Sequence, residues 1–220
     1  MGNRTKKCCK IEDCNRLFSK KLNIDKHMKI FKILFLVLIS FSCFAQKKVE
    51  INLKIENDST IIQYLKENKI DFSNNQIATL KGIGTFGEYG RAKKLAVPDA
   101  YFFNSKGELI KNKGKGIYCG AEIKKLEKVS KMKSDPNQTL ENFLNDITIL
   151  DGSKLIDENI DIYIVITWGK FLSSESETSL NWFSSLKKQE NLKIKVLLLN
   201  LDVQEKWNLT DGQKKYLGII

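Results

Sequence analysis

Hydrophobic and polar positions form a clear pattern in three stretches of the chain. Val49–Ile55 alternates apolar and polar residues, which predicts a half-buried strand. Ile160–Trp168 and Lys193–Leu201 are apolar or β-branched along most of their length, which predicts strands covered on both faces. A helical pattern lies between these two and begins with a predicted capping box at Ser174–Glu177. The order strand, helix, strand predicts an adjacent parallel pair joined by a right-handed crossover.

The stretch Ala96–Ile110 predicts a β-hairpin. The aromatic residues Tyr101–Phe103 favour a strand, and Asn104–Gly107 is a turn in which Gly107 can adopt a positive φ. Pro98 stands just before the first strand, where the missing N–H costs least. The hairpin therefore adds two strands to those predicted above.

The remaining patterns predict mainly helices. Four glycines at positions 82, 84, 87 and 90 favour a flexible loop, and Ser134–Asn137 reads as a break between helices. One short strand is predicted at Ile77–Leu80. The predicted helices, in chain order, are Asn57–Asn68, Tyr89–Leu95, Ala121–Met132, Thr139–Asp146 and a short one within Gln204–Ile220. Strands near 49–55, 100–104, 108–112, 161–168 and 194–201 then give a fold of the α/β class.

An uncharged apolar run, Ile33–Gln46, follows the basic residues Lys29 and Lys32. It is short for a membrane-spanning helix but has the length of a signal-peptide core, and Cys43-Phe44-Ala45 provides small residues for cleavage after Ala45. Residues 28–45 resemble export signals common in Bacteroidetes-type bacteria. We expect an exported bacterial protein, periplasmic or secreted. The alternative is an uncleaved single-pass anchor, with membrane contact through residues 30–46 only.

Positive charge is concentrated before the apolar run. Residues 1–33 carry +7 of the net charge of +11, so the basicity does not predict a nucleic-acid partner for the folded domain. Residues 1–27 form a basic upstream extension, disordered or not translated. Cys9, Cys14 and His27 have the order of zinc-finger ligands, but no second histidine follows and a structural zinc site needs four ligands. We therefore expect no metal site and no other cofactor.

Two parts of the chain resemble the thioredoxin fold. Tyr89–Pro98, the hairpin and Gly116–Met132 are similar to its second half, in which the family keeps a cis proline facing the active site. Residues 161–202 are similar to its first half, strand, active loop, helix and strand. The resemblance implies that residues 46–220 form a three-layer thioredoxin-like sheet with flanking helices. Because the halves come in reversed order, the fold is either permuted or extended.

The family's redox motif is absent. Gly169–Leu172 occupies the place of Cys-x-x-Cys, and residues 46–220 contain one cysteine, Cys119, and no histidine. Dithiol exchange and Ser-His-Asp catalysis are thereby excluded from this part of the chain. The function predicted is a non-catalytic module for an unidentified protein or peptide partner. The alternative is a thiol-dependent enzyme in which the α-helix after Cys119, with Lys113 and Lys115, lowers the thiol pKa.

The resemblance also implies where a partner would bind. Pro98 is expected to be cis and to lie at a shallow groove with an unpaired backbone edge. The residues expected to line this groove are Val97, Pro98, Cys119, Gly120 and Trp168.

Overall fold

One seven-stranded mixed β-sheet organises the computed structural model, which describes residues 53–111, 114–157 and 159–219. The strands are β1 (Ile55–Glu56), β2 (Ile77–Leu80), β3 (Asp99–Asn104), β4 (Glu108–Ile110), β5 (Ser134–Thr139), β6 (Ile147–Ile149), β7 (Ile162–Trp168), β8 (Ile194–Asn200) and β9 (Val203–Gln204). The order in the large sheet is β5-β4-β3-β7-β8-β2-β6, and β1 pairs with β9 in a small parallel sheet.

Helices flank this sheet. They are α1 (Asp58–Glu67), α2 (Ile83–Arg91), α3 (Cys119–Ile123), α4 (Leu126–Val129), α5 (Leu140–Leu144), α6 (Ser173–Leu186) and α7 (Asp211–Leu217). The α/β class predicted from the sequence is confirmed. The three-layer thioredoxin-like arrangement stays a prediction.

The strands β7 and β8 are parallel and adjacent, in register from Ile162 opposite Ile194 to Trp168 opposite Asn200. Every residue of β7 is buried, as its continuous apolar sequence predicts. Alternate residues enter two apolar clusters: Ile164 packs in one and Val165 in the other. Both the pair and its central position are therefore as expected.

The hairpin β3–β4 is also confirmed, with Gly107 at φ 75° in its turn. The Asn104 side chain closes the turn by accepting hydrogen bonds from the backbone N–H groups of Lys106 and Glu108. β3 lies antiparallel to β7, and the Val97–Pro98 peptide bond that precedes it is cis, as expected.

Two segments expected to be irregular are regular. The prediction of a loop across Gly82–Gly90 was wrong because this stretch is helix α2, in which Tyr89 is buried. Its apolar side chains recur at helical spacing, and their packing outweighs a cost of about 0.5–1 kcal/mol for each glycine. The break at Ser134–Asn137 is instead part of β5, an edge strand where a proline is tolerated.

Three further predictions differ from the structure in a helix, a strand and a helix cap. The single helix expected over Ala121–Met132 is two short ones, α3 and α4, and β6 was not foreseen. The capping box expected at Ser174–Glu177 was wrong, because α6 begins at Ser173 without a side-chain cap. Ser176 is buried, and its hydroxyl donates to the Gly169 carbonyl oxygen instead.

The expectations for the N-terminal segment lie outside the described residues. These are the extension 1–27 with Cys9, Cys14 and His27, the signal peptide 28–45, and the alternative of an anchor. Within the described part of the chain, no helix combines the length and apolar character needed to cross a bilayer.

Candidate binding face beside Pro98

The segment leading into β3 is anchored at the carboxyl end of β7. The register pairs Asp99 with Thr167, whose hydroxyl donates to the Ala96 carbonyl oxygen at 2.7 Å. The Gly116 N–H donates to Asp99 Oδ1 at 2.9 Å. Since a Cβ on Gly116 would lie 3.6 Å from the Pro98 carbonyl oxygen, the turn before α3 lies directly against Pro98. The predicted site residues thus meet at one end of the sheet.

Cys119 is fully buried within this arrangement. Its thiol lies 3.2 Å from Asp99 Oδ1 and 3.7 Å from the Ala100 carbonyl oxygen, both acceptors. Burial, followed by the hydrogen bond to Asp99, raises the pKa of Cys119 to about 12. The alternative of a lowered thiol pKa is contradicted, since desolvation and the Asp99 carboxyl group raise this pKa. Cys119 is therefore a packed thiol with almost no nucleophilic thiolate at neutral pH.

Trp168 is also inaccessible to a ligand. Its side chain is fully buried, with its ring stacked 5.7 Å from that of Tyr64. Gly120 is only half-buried, but a Cβ there would lie 3.3 Å from the Trp182 ring, so its backbone is packed on that side. The prediction that Pro98, Cys119 and Trp168 line a groove is corrected on this point, because all three residues are buried.

The turn before α3 exposes two large apolar side chains. Ile117 and Tyr118, in the 3₁₀ turn Gly116–Tyr118, have exposed fractions of 63% and 75%. Val97 is half-buried, and within the described chain neither its N–H nor its carbonyl group has a hydrogen-bond partner. We call Val97, Ile117 and Tyr118 the Pro98 face. Sequence reasoning found Val97 but missed the other two, although an apolar pair following a lysine- and glycine-rich loop was a usable signal.

The loop after β7 has its amides already bonded within the protein. The N–H groups of Lys170 and Phe171 donate to the two carboxylate oxygens of Asp202, at 2.8 and 3.1 Å. Asp202 is buried, and this burial raises its carboxyl pKa against the opposing effect of those bonds. The segment that holds the redox motif in the resembled family is thus fixed by an internal carboxylate.

The charged residues beside this loop are also paired. Lys170 Nζ lies 2.5 Å from Glu56 Oε2 and 5.9 Å from the centroid of the Tyr64 ring. The Thr60 hydroxyl donates to the same Glu56 oxygen at 2.6 Å. These contacts join β1, α1 and the loop, so Lys170 and Glu56 are already paired within the protein.

In the described ranges, no three His, Cys, Asp or Glu side chains stand close enough together to hold a metal ion. Comparisons with protein-family models, curated proteins and solved structures give no match. The function is therefore argued from the geometry of the Pro98 face.

Proposed function

We propose that residues 46–220 form a redox-inactive thioredoxin-like module that binds an extended segment of a partner protein at the Pro98 face. The unit β7–α6–β8, with the hairpin β3–β4 beside it, supports the resemblance drawn from the sequence. The signal-like segment before Gln46 supports a site of action outside the cytoplasm.

One observation carries the binding role: in the described chain the main-chain groups of Val97 have no hydrogen-bond partner, and the turn that bears the exposed Ile117 and Tyr118 lies against the neighbouring Pro98. An extended peptide can satisfy the N–H and carbonyl groups of Val97 with its own backbone. Its side chains can then bury Ile117 and Tyr118, which the protein itself leaves in water. Such a surface supplies main-chain hydrogen bonds and an apolar anchor together.

The chemistry of Cys119 argues against a catalytic role. Disulfide exchange requires an attacking thiolate and a second thiol, and residues 46–220 have neither an accessible thiolate nor a second cysteine. The one-cysteine enzyme, the alternative drawn from the sequence, requires a reagent to reach a buried sulfur. The buried position of Cys119 therefore favours the binding module.

The test is the binding of a permanently unfolded acidic polypeptide, reduced and carbamidomethylated α-lactalbumin, followed by fluorescence anisotropy. We expect I117S/Y118S to bind at least about tenfold more weakly, because each apolar side chain contributes about 1.5–3 kcal/mol when fully buried. The matched control is Tyr216→Ser, since Tyr216 is 90% exposed on α7. Equal loss in both variants, or no loss in I117S/Y118S, would contradict the proposal.

A further inference from the structure

The segment of the chain that carries Ile117 and Tyr118 is strongly basic. Residues 111–133 contain eight lysines and two glutamates. This density is local, because the whole stretch from residue 34 to the C-terminus has a net charge of only +4. Seven of the lysines are described, and each is exposed: Lys111, Lys115, Lys124, Lys125, Lys128, Lys131 and Lys133. We call these seven the lysine bank.

The lysine bank is exposed because the apolar residues between its members are buried. Ile123, Leu126 and Val129 are buried and hold α3 and α4 against the apolar core. The lysines between them, such as Lys124 and Lys128, must then point to solvent. These side chains therefore form a face on the same side of the protein as α3 and α4.

The bank is poorly neutralised by the protein itself. Among the described residues, its one ion pair joins Lys111 Nζ to Asp135 Oδ2 at 3.6 Å, and that lysine side chain is 60% exposed. Such an exposed pair contributes little. The remaining cations repel one another and attract anions from solution. A surface of this kind selects an anionic partner.

We propose that the partner segment is an acidic extended peptide, in which Asp or Glu residues flank an apolar residue. This inference rests on the proposed function. Ile117 and Tyr118 lie between Lys115 and Lys124 in the chain, and all four are exposed, so the lysines nearest to them in sequence are available to acidic residues that flank an apolar side chain. In the described part of the chain the N–H and carbonyl groups of Val97 have no hydrogen-bond partner, which favours a peptide over a lipid headgroup or a nucleic acid, because only a peptide supplies matching main-chain groups.

The experiment uses three synthetic peptides of about twelve residues with the same Leu-Phe centre and with flanks of Glu, Ser or Lys. Affinity for the protein is measured by fluorescence anisotropy at about 50 and about 300 mM NaCl. We expect the Glu peptide to bind about tenfold more tightly than the Ser peptide at low salt, and the difference to shrink at high salt as the charges are screened. The Lys peptide should bind least.

A charge-reversal variant locates the effect. K115E/K124E/K125E should lose the preference for the Glu peptide over the Ser peptide, and it should favour the Lys peptide instead. The matched control, K54E/K69E/K188E, makes the same change in net charge at exposed lysines outside the bank and should keep the preference.

The outcomes separate the two proposals. Equal binding of the Glu and Ser peptides, both lost in I117S/Y118S, would overturn the acidic partner and leave the binding module standing. No binding of any peptide would overturn both. Tighter binding to vesicles of anionic lipid or to a DNA oligonucleotide, lost in K115E/K124E/K125E, would assign the lysine bank to that class of ligand and overturn the peptide.

Discussion

At the scale of single residues, the buried carboxylate of Asp99 organises the Pro98 face. It accepts hydrogen bonds from the backbone N–H of Gly116 and from the Cys119 thiol, and so ties β3 to the start of α3. Cys119 is the one thiol between residues 46 and 220, but its neighbours decide its chemistry. The presence of Cys119 can be read from the sequence. Its burial and its contact with Asp99 could not be predicted, because they depend on residues twenty positions apart in the chain.

Cys119 should make stability depend on pH in the alkaline range. Its folded pKa, about 12, lies above the unfolded value of about 8.5, so the stabilisation is complete below about pH 8.5 and is lost as pH rises toward 12. The free energy of unfolding should fall by up to about 1.4 kcal/mol per pH unit more steeply than in Cys119→Ser. Urea denaturation of both proteins between about pH 8 and 11 measures this difference, and parallel curves would contradict the raised pKa.

The same residue should be slow to alkylate. Iodoacetamide attacks the thiolate, so the native protein at about pH 8 should react at least about a hundredfold more slowly than the protein in urea. Mass spectrometry of the carbamidomethylated peptide gives the rate. If the native form is labelled fast, and the rate has already reached its maximum at about pH 7, the thiol pKa is low. That result would restore the one-cysteine enzyme.

At the scale of secondary-structure elements, Asp202 fixes the loop after β7. It lies two residues beyond β8 and receives the amides of Lys170 and Phe171, so the two central strands are joined at their carboxyl ends. In the resembled family the corresponding loop carries the redox motif. Here the amides at this position are used to hold the loop in place.

Removing that carboxylate should destabilise the protein. Asp202→Ala leaves two backbone N–H groups without their acceptor, and we expect a loss of about 2–4 kcal/mol in the free energy of unfolding. Amide hydrogen exchange should accelerate at Lys170 and Phe171 in particular. The control, Asp211→Ala, removes a 95% exposed side chain and should change stability by less than about 0.5 kcal/mol. Equal effects of the two substitutions would mean that Asp202 does not hold the loop.

Elements with an unambiguous pattern could be predicted from the sequence. The strands β7 and β8 are apolar along most of their length, and the hairpin has its own turn chemistry, so neither depends on distant residues to be recognised. Helix α2 and strand β5 could not be predicted because tertiary packing overrides local preference there. The glycines of α2 disfavour a helix, and the proline of β5 disfavours a strand.

At the scale of the whole molecule, the candidate site could be predicted only in part. The resemblance grouped Val97, Pro98, Cys119 and Trp168, and these residues do lie at one end of the sheet, whereas their role as a site stays a prediction. Which side chains reach solvent there could not be predicted, because the packing of α3, α4 and α6 buries Cys119 and Trp168. The same packing leaves Ile117 and Tyr118 exposed.

The domain of residues 46–220, in which Cys119 is the one cysteine, should lack disulfide reductase activity. With dithiothreitol as reductant, the rate of insulin precipitation should equal the rate without the protein, and Cys119→Ser should give the same trace. The physical reason is the missing second thiol together with the buried first one. A rate above background that disappears in Cys119→Ser would contradict this prediction.

The central claim is that the Pro98 face binds extended polypeptide, and amide NMR shift mapping tests it most directly. The protein labelled with ¹⁵N is titrated with the unlabelled unfolded polypeptide, and every amide resonance is followed. The account predicts that the largest shifts fall at Val97 and across 115–120, with those of α7 unchanged. Shifts centred on α7, or no shifts at saturating polypeptide, would contradict it.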